Sequence, residues 1–181
     1  MNDGSRALLK VRPTRWDVLS MPTNQSNVAR TCSECTACCD GWLKINVRGR
    51  DVFPGNPCPF SVAHKCSIYE DRPVDPCQQF VCGWLADKSP LPEWMRPDKA
   101  NLILLPANFQ WRGIPVHVAV AVGARPKDKA ISWLKDFCRK SHRPLIFQMH
   151  DEWIAYGPPQ FQTEMAARLS SRKQPWLGEG E

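Results

Sequence analysis

The chain has 181 residues, 24 Lys and Arg against 18 Asp and Glu, and nine cysteines. That length can bury a real core without covalent crosslinks, so the cysteines are not needed to rescue a miniature fold. The residues after Met1 hold no apolar run of signal-peptide length, and the longest apolar stretches, 102–105 and 116–122, are too short to span a bilayer. A soluble, cytoplasmic protein with no membrane partner is expected, and in that reducing setting dense cysteine points to metal or catalysis rather than disulfides.

The net charge of +6 is uneven. Residues 1–30 hold five basic and two acidic side chains, residues 31–90 six and seven, and residues 91–181 thirteen and nine. The near-neutral middle contains eight of the nine cysteines, and thiolates on metal would make it clearly negative. The basic flanks are interrupted by acids, which disfavours a nucleic-acid partner.

In chain order, residues 1–30 read as a flexible basic tail, with few apolar positions and the irregular run Met21-Pro-Thr-Asn-Gln-Ser-Asn27. Residues 31–90 are dense in cysteine and turn formers and poor in aliphatic side chains, so something other than a hydrocarbon core must hold them. Residues 91–160 carry globular patterning: strands at 101–105 and 114–122, a helix, then strands at 145–149 and 153–156. The helix is marked by Ala130, Ile131, Leu134, Phe137 and Cys138 on one face. Cys138 on that stripe reads as a packed core residue. Residues 161–181 form a terminal helix, at Gln162 to Arg172, and a polar tail. The predicted fold class is α+β, with an irregular cysteine-rich metal-binding segment packed against a small C-terminal strand-strand-helix-strand-strand region.

The first cysteine group is Cys32-Ser-Glu-Cys35-Thr-Ala-Cys38-Cys39. Two residues between ligands let a tight turn direct successive sulfurs at one centre, with amide hydrogens facing them. Side chains of adjacent Cys38 and Cys39 diverge, so one of them faces a second metal, another edge of a cluster, or the core.

The second group, Cys58, Cys66, Cys77 and Cys82, is spaced too widely for the paired knuckles of a zinc ribbon. Asp75 as N-cap and Pro76 at the first turn predict a helix start at Cys77, which would lower the thiol pKa. Cys82 lies about 140° round an ideal helix from Cys77, so both reach one ion only if the helix ends or bends near Gly83. Two centres, or one larger cluster, fit eight cysteines better than a single ion. His64, between Cys58 and Cys66, is an alternative nitrogen ligand. Trp42, Phe60, Phe80 and Trp84 stand near the ligands in sequence and could shield sulfur from water.

Four blocks carry a family resemblance: Cys32-x-x-Cys35-x-x-Cys38-Cys39, Cys58-Pro59-Phe60, Cys66-Ser67-Ile68-Tyr69-Glu70-Asp71-Arg72-Pro73, and Cys77-Gln78-Gln79-Phe80-Val81-Cys82. Over about residues 31–85 the chain resembles the bacterial C-x-x-C-x-x-C-C cysteine-cluster family of zinc- or iron-chelating proteins, distantly related to flagellin lysine N-methylase. It departs from that pattern at Val74-Asp75-Pro76, inserted before Cys77, and at Gln78, where Arg is usual. The resemblance implies metal chelation.

The remote Cys58-Pro59 echoes ferredoxin ligation and points to an iron-sulfur cluster, while tetrahedral zinc accepts many spacings. The expected function is a metal-chelating protein that binds zinc or iron through eight thiolates and docks, where it docks, on a protein partner. The alternative is a redox or protein-methylase enzyme using an iron-sulfur centre. No Gly-rich strand-to-helix loop supports methyl transfer, and no catalytic residue stands out.

Overall fold

The computed structural model describes residues 30–32, 35–150 and 152–170. The expected basic tail, Glu34 and the end of the last predicted helix lie outside these residues.

Around the cysteines the elements are short, as a segment poor in aliphatic residues dictates. One π-type turn runs Cys38–Trp42. Strands β1 (Ile45–Val47) and β2 (Arg50–Val52) pair antiparallel across Arg48-Gly49, and β3 (Ser61–Val62) pairs with β4 (Lys65–Cys66). A second π-type turn spans Val74–Gln78. The predicted helix start is found as one turn and no more. Asp75 is extended (φ −102°, ψ 130°), as the residue before a helix is, and the Phe80 amide bonds the Pro76 carbonyl at 2.9 Å, but no side chain caps the turn and the chain is irregular at Phe80.

From residue 97 the chain becomes regular. Helix α1 (Pro97–Ala100) leads into β5 (Leu102–Leu104). The single strand expected at 114–122 is instead two. Residues Ile114–Pro115 (β7) form a hairpin with Gln110–Trp111 (β6), and His117–Ala121 (β8) joins the main sheet. Pro115 has no N–H with which to extend a ladder, so the break falls beside it. Helix α2 (Asp128–Ser141) crosses to β9 (Leu145–Met149), which turns into β10 (Glu152–Tyr156), and α3 (Pro159–Ser170) follows. Helix α3 begins three residues before the expected Gln162, with prolines at its start, where their missing N–H groups cost nothing.

The four-stranded sheet has the order β10-β9-β8-β5, parallel between β8 and β9 and antiparallel elsewhere. Leu104, Ala119 and Phe147 align in one row across it, and α2 packs Ala130, Ile131, Leu134 and Cys138 on that face. Cys138 is thus a core residue; burial pushes its thiol up to about 12. The opposite face presents Ile146 to Phe161 and Met165 of α3 and to Trp111. Trp111 Nε1 donates to Glu164 at 2.6 Å, tying α3 to the β6–β7 hairpin.

The cysteine segment shares the first of these cores. Ala37, Cys82, Trp84, Leu91 and Met95 pack with Leu102, Leu104 and Phe147. The Gly83 amide donates to the Leu104 carbonyl at 2.7 Å, which docks the segment on the edge strand β5. A Cβ on Gly83 would lie 2.7 Å from Leu104 Cδ2, so glycine permits this approach. The chain is therefore a mixed α and β protein, and no helix among the described residues is long and apolar enough to cross a membrane.

Candidate metal centre

Each cysteine is placed by a turn that its neighbours specify. The Cys35 amide donates to the Cys32 carbonyl at 3.0 Å, closing the first C-x-x-C turn. The Asp40 amide bonds the Thr36 carbonyl at 2.7 Å. The Asp40 carboxylate then accepts from the Thr36 hydroxyl at 2.8 Å and from Ser61 at 3.2 Å. Asp40 thus clamps the Cys38–Cys39 turn to β3, and it does not line the cavity that the cysteines share. Gly41 lets this turn reverse: its φ is +92°, and a Cβ there would lie 2.2 Å from the Phe53 carbonyl oxygen. Cys58 is drawn in by its amide, which bonds the Cys39 carbonyl at 2.7 Å. Cys66 ends β4 opposite Ser61, whose amide bonds the Cys58 carbonyl at 2.9 Å.

Cys77 and Cys82 no longer share a helix, because the turn at 74–78 gives way to irregular chain by Phe80. That resolves the angular conflict between them: each is free to face the interior from its own loop.

The result is a single cavity of about 90 Å³ whose walls include all eight cysteines from Cys32 to Cys82. By the same measure one water needs about 10–15 Å³, so the space exceeds that of a single small ion. Phe60, Phe80 and Trp84 line it as well, as their positions in sequence suggested, whereas Trp42 packs into the apolar core instead. His64 sits exposed at the β3–β4 turn with φ +59°, away from the cavity, so the structure removes it as a candidate ligand. Cys138 is likewise absent from the walls.

Besides Thr36, two polar side chains of the Ile-Tyr-Glu-Asp-Arg-Pro block, Tyr69 and Arg72, also line the cavity, a place sequence reasoning did not give them. Cys32 Sγ lies 3.8 Å from the Tyr69 hydroxyl. The Arg72 guanidinium stacks 3.9 Å over the Tyr69 ring and donates from Nη1 to the Tyr69 carbonyl at 2.6 Å. Arg72 Nε is buried with no hydrogen-bond partner. A buried N–H without an acceptor is costly, and a negatively charged sulfur cage is the kind of neighbour that would offset it. Both residues belong to the Ile-Tyr-Glu-Asp-Arg-Pro block, which was legible as a motif but not as part of the lining.

The electrostatics of the walls oppose free thiolates. Burial is the largest influence on Cys38 and holds its thiol well above the ordinary range, with Cys82 and Cys39 adding like charge. Burial likewise pushes Cys39 up to about 12, assisted by Cys58, Cys66 and Cys77. Cys35 and Cys82 are raised by burial and partly relieved by backbone N–H groups, those of Ala37 and Asp98 on Cys35 and those of Leu85 and Trp84 on Cys82. Cys77 is raised by burial too, which corrects the expectation of a thiol activated by a helix N-terminus: the short turn supplies no such field, although Arg72 acts to lower it.

Clustered thiols of this kind are poor nucleophiles at neutral pH, since the thiolate is the reactive form. Among the described residues no group of three or more His, Cys, Asp or Glu side chains is disposed so that it could hold a metal ion as it stands. Ligation therefore requires loss of the thiol protons and inward closure of the sulfurs. Soft thiolate donors suit zinc, iron-sulfur clusters and cuprous copper, and the donor set fits such a group.

Comparison with protein-family models, with curated proteins and with solved structures finds no match.

Proposed function

We propose that this chain is a metal-chelating cysteine-cluster protein that binds zinc or iron, an iron-sulfur cluster included, through Cys32, Cys35, Cys38, Cys39, Cys58, Cys66, Cys77 and Cys82. The observation that carries the reading is the shared cavity: eight cysteines spread over fifty residues all reach its walls, while the ninth, Cys138, stays in the hydrocarbon core. Random placement of cysteines on short loops would not do this. The raised thiols add a thermodynamic reason, because a bound cation offsets first the burial and then the like charge that keep them protonated, and metal binding then proceeds with proton release.

On this reading the segment at 31–90 is the metal-binding part of the α+β fold, and the sheet region is its platform. The C-x-x-C-x-x-C-C resemblance, a cytoplasmic location and docking on a protein partner belong to the same proposal. Tyr69 and Arg72 would orient and neutralise the sulfur cage from behind, as outer-shell groups do in metal sites generally. Thiolate-bound metal supplies structural cohesion in either case, and electron transfer in addition if the group is an iron-sulfur cluster.

Elemental analysis and a visible spectrum of protein purified without oxygen test the proposal. Colourless protein with stoichiometric zinc, or brown protein with iron and acid-labile sulfide, supports it and distinguishes its two forms. Reduced protein that holds neither metal, and takes up neither when offered, refutes it.

A further inference from the structure

Adjacent Cys38 and Cys39 belong to different packing environments. Cys38, with Cys35 and Cys82, packs against the large core that includes Trp84, Leu102 and Leu104. Cys39, with Cys58 and Cys77, packs against a separate small cluster built on Val47 and Val52. The boundary between the two therefore runs through the Cys38–Cys39 peptide, as the divergence of neighbouring side chains requires.

The remaining two cysteines fall on either side of that boundary. Cys66 closes the hairpin whose other strand begins at Ser61, bonded to Cys58, and so belongs with Cys39 and Cys58. Cys32 is tied to Cys35 by the first turn.

We propose that the eight cysteines form two four-sulfur metal sites side by side, one from Cys32, Cys35, Cys38 and Cys82, the other from Cys39, Cys58, Cys66 and Cys77. This rests on the metal-binding reading above and adds to it the assignment of each thiol. Four sulfurs complete a tetrahedral shell, so neither site needs His64, Asp40 or a shared ligand. The two differ in surroundings. The first is seated on the main core and receives backbone N–H groups at Cys35 and Cys82. The second is held by the hairpins, with Arg72 as the cation felt at Cys77. The division also explains the step from Cys77 to Cys82: those residues serve different sites and need not converge.

Cadmium-113 loaded into the reduced full chain under inert atmosphere tests the assignment by NMR. Two cadmium ions per chain, giving two resonances at tetrathiolate shifts with no cadmium–cadmium splitting, are expected. A C35S/C82S variant keeps one resonance and half the metal, and C58S/C77S keeps the other. One cadmium per chain, or two resonances split by coupling through a bridging sulfur, overturns the division and leaves chelation standing. A chain that binds no cadmium overturns chelation itself. If one variant fails to fold, the other decides together with the spectrum of the unsubstituted chain: loss of both resonances in it overturns the assignment.

Discussion

The two halves of this molecule bury different kinds of side chain. From β5 onward the sheet buries Leu102, Ile103, Leu134, Leu145, Ile146, Phe147, Phe161 and Met165 almost completely. Between Cys32 and Cys82, among the described residues, the aliphatic side chains buried to that degree are Val47 and Val52, with the small Ala37 close behind. At roughly 1.5–3 kcal/mol for each large side chain buried, the first half can hold itself together and the second cannot. Eight thiols stand where the second half would otherwise need hydrocarbon. If those thiols hold metal as proposed, a loop-rich segment is ordered by a few strong bonds at one point rather than by many weak contacts, and it then depends on that point.

The largest expected effect breaks the comparison outright. Chelation of the reduced protein should abolish amide-exchange protection over residues 35–88 while β8, β9 and α2 stay protected. A structural thiolate site can contribute about 10–16 kcal/mol, comparable to or above a whole domain's stability. Equal protection before and after chelation would show that the two halves are not held differently. The opposite lesion is Phe147→Ala, which empties the centre of the sheet core and should cost about 3–5 kcal/mol in denaturant unfolding without changing metal content. Metal loss in that folded variant would mean that the cavity depends on the sheet more closely than the shared core implies.

A pH experiment sharpens the contrast at intermediate size. His117 is buried on β8 beside Phe137 with Nε2 unpartnered, and burial, aided by the Arg143 charge, holds it down at about 4. Its ordinary value is about 6.5, so between those limits the unfolded chain binds a proton that the native sheet does not. Stability from this group is complete above pH 6.5, falls as pH drops towards 4, and changes no further below. At most about 3 kcal/mol is involved, and His117→Gln should flatten that part of the stability–pH curve. An unchanged curve would show that His117 titrates alike in both states. Acid acts on the other half differently, through protons competing with metal for sulfur, so metal release and sheet unfolding should have separate pH profiles.

The smallest effect is expected from Cys138→Ser. Placing a hydroxyl against Leu134 and Phe147 should cost about 1–3 kcal/mol and leave metal stoichiometry unchanged. A lost metal equivalent would move Cys138 from the core to the ligands.

Much of this contrast was legible in the residues. The stripe of Ala130, Ile131, Leu134 and Cys138 placed α2, since a 3.6-residue period identifies the face that must be covered. The apolar runs at 102–104 and 145–149 marked sheet strands in the same way. The cysteine spacing likewise singled out the eight thiols that line the cavity and set Cys138 apart. Sequence also raised the conflict between Cys38 and Cys39, because adjacent side chains diverge wherever the backbone runs.

Other features were decided only by the tertiary structure. The clamp of Asp40 by Thr36 and Ser61 and the stacking of Arg72 on Tyr69 beside Cys32 join residues 3 to 37 positions apart, and the exposed β3–β4 turn carries His64 away. Local periodicity carries no information about such pairings. The helix expected at Cys77 stops after one turn for the same reason: its capping pattern is a weak local preference, and Pro76, Cys77 and Phe80 all go to the cavity wall. Residue type decided which atoms can bind metal. Only the chain's return on itself decided which of them share a wall.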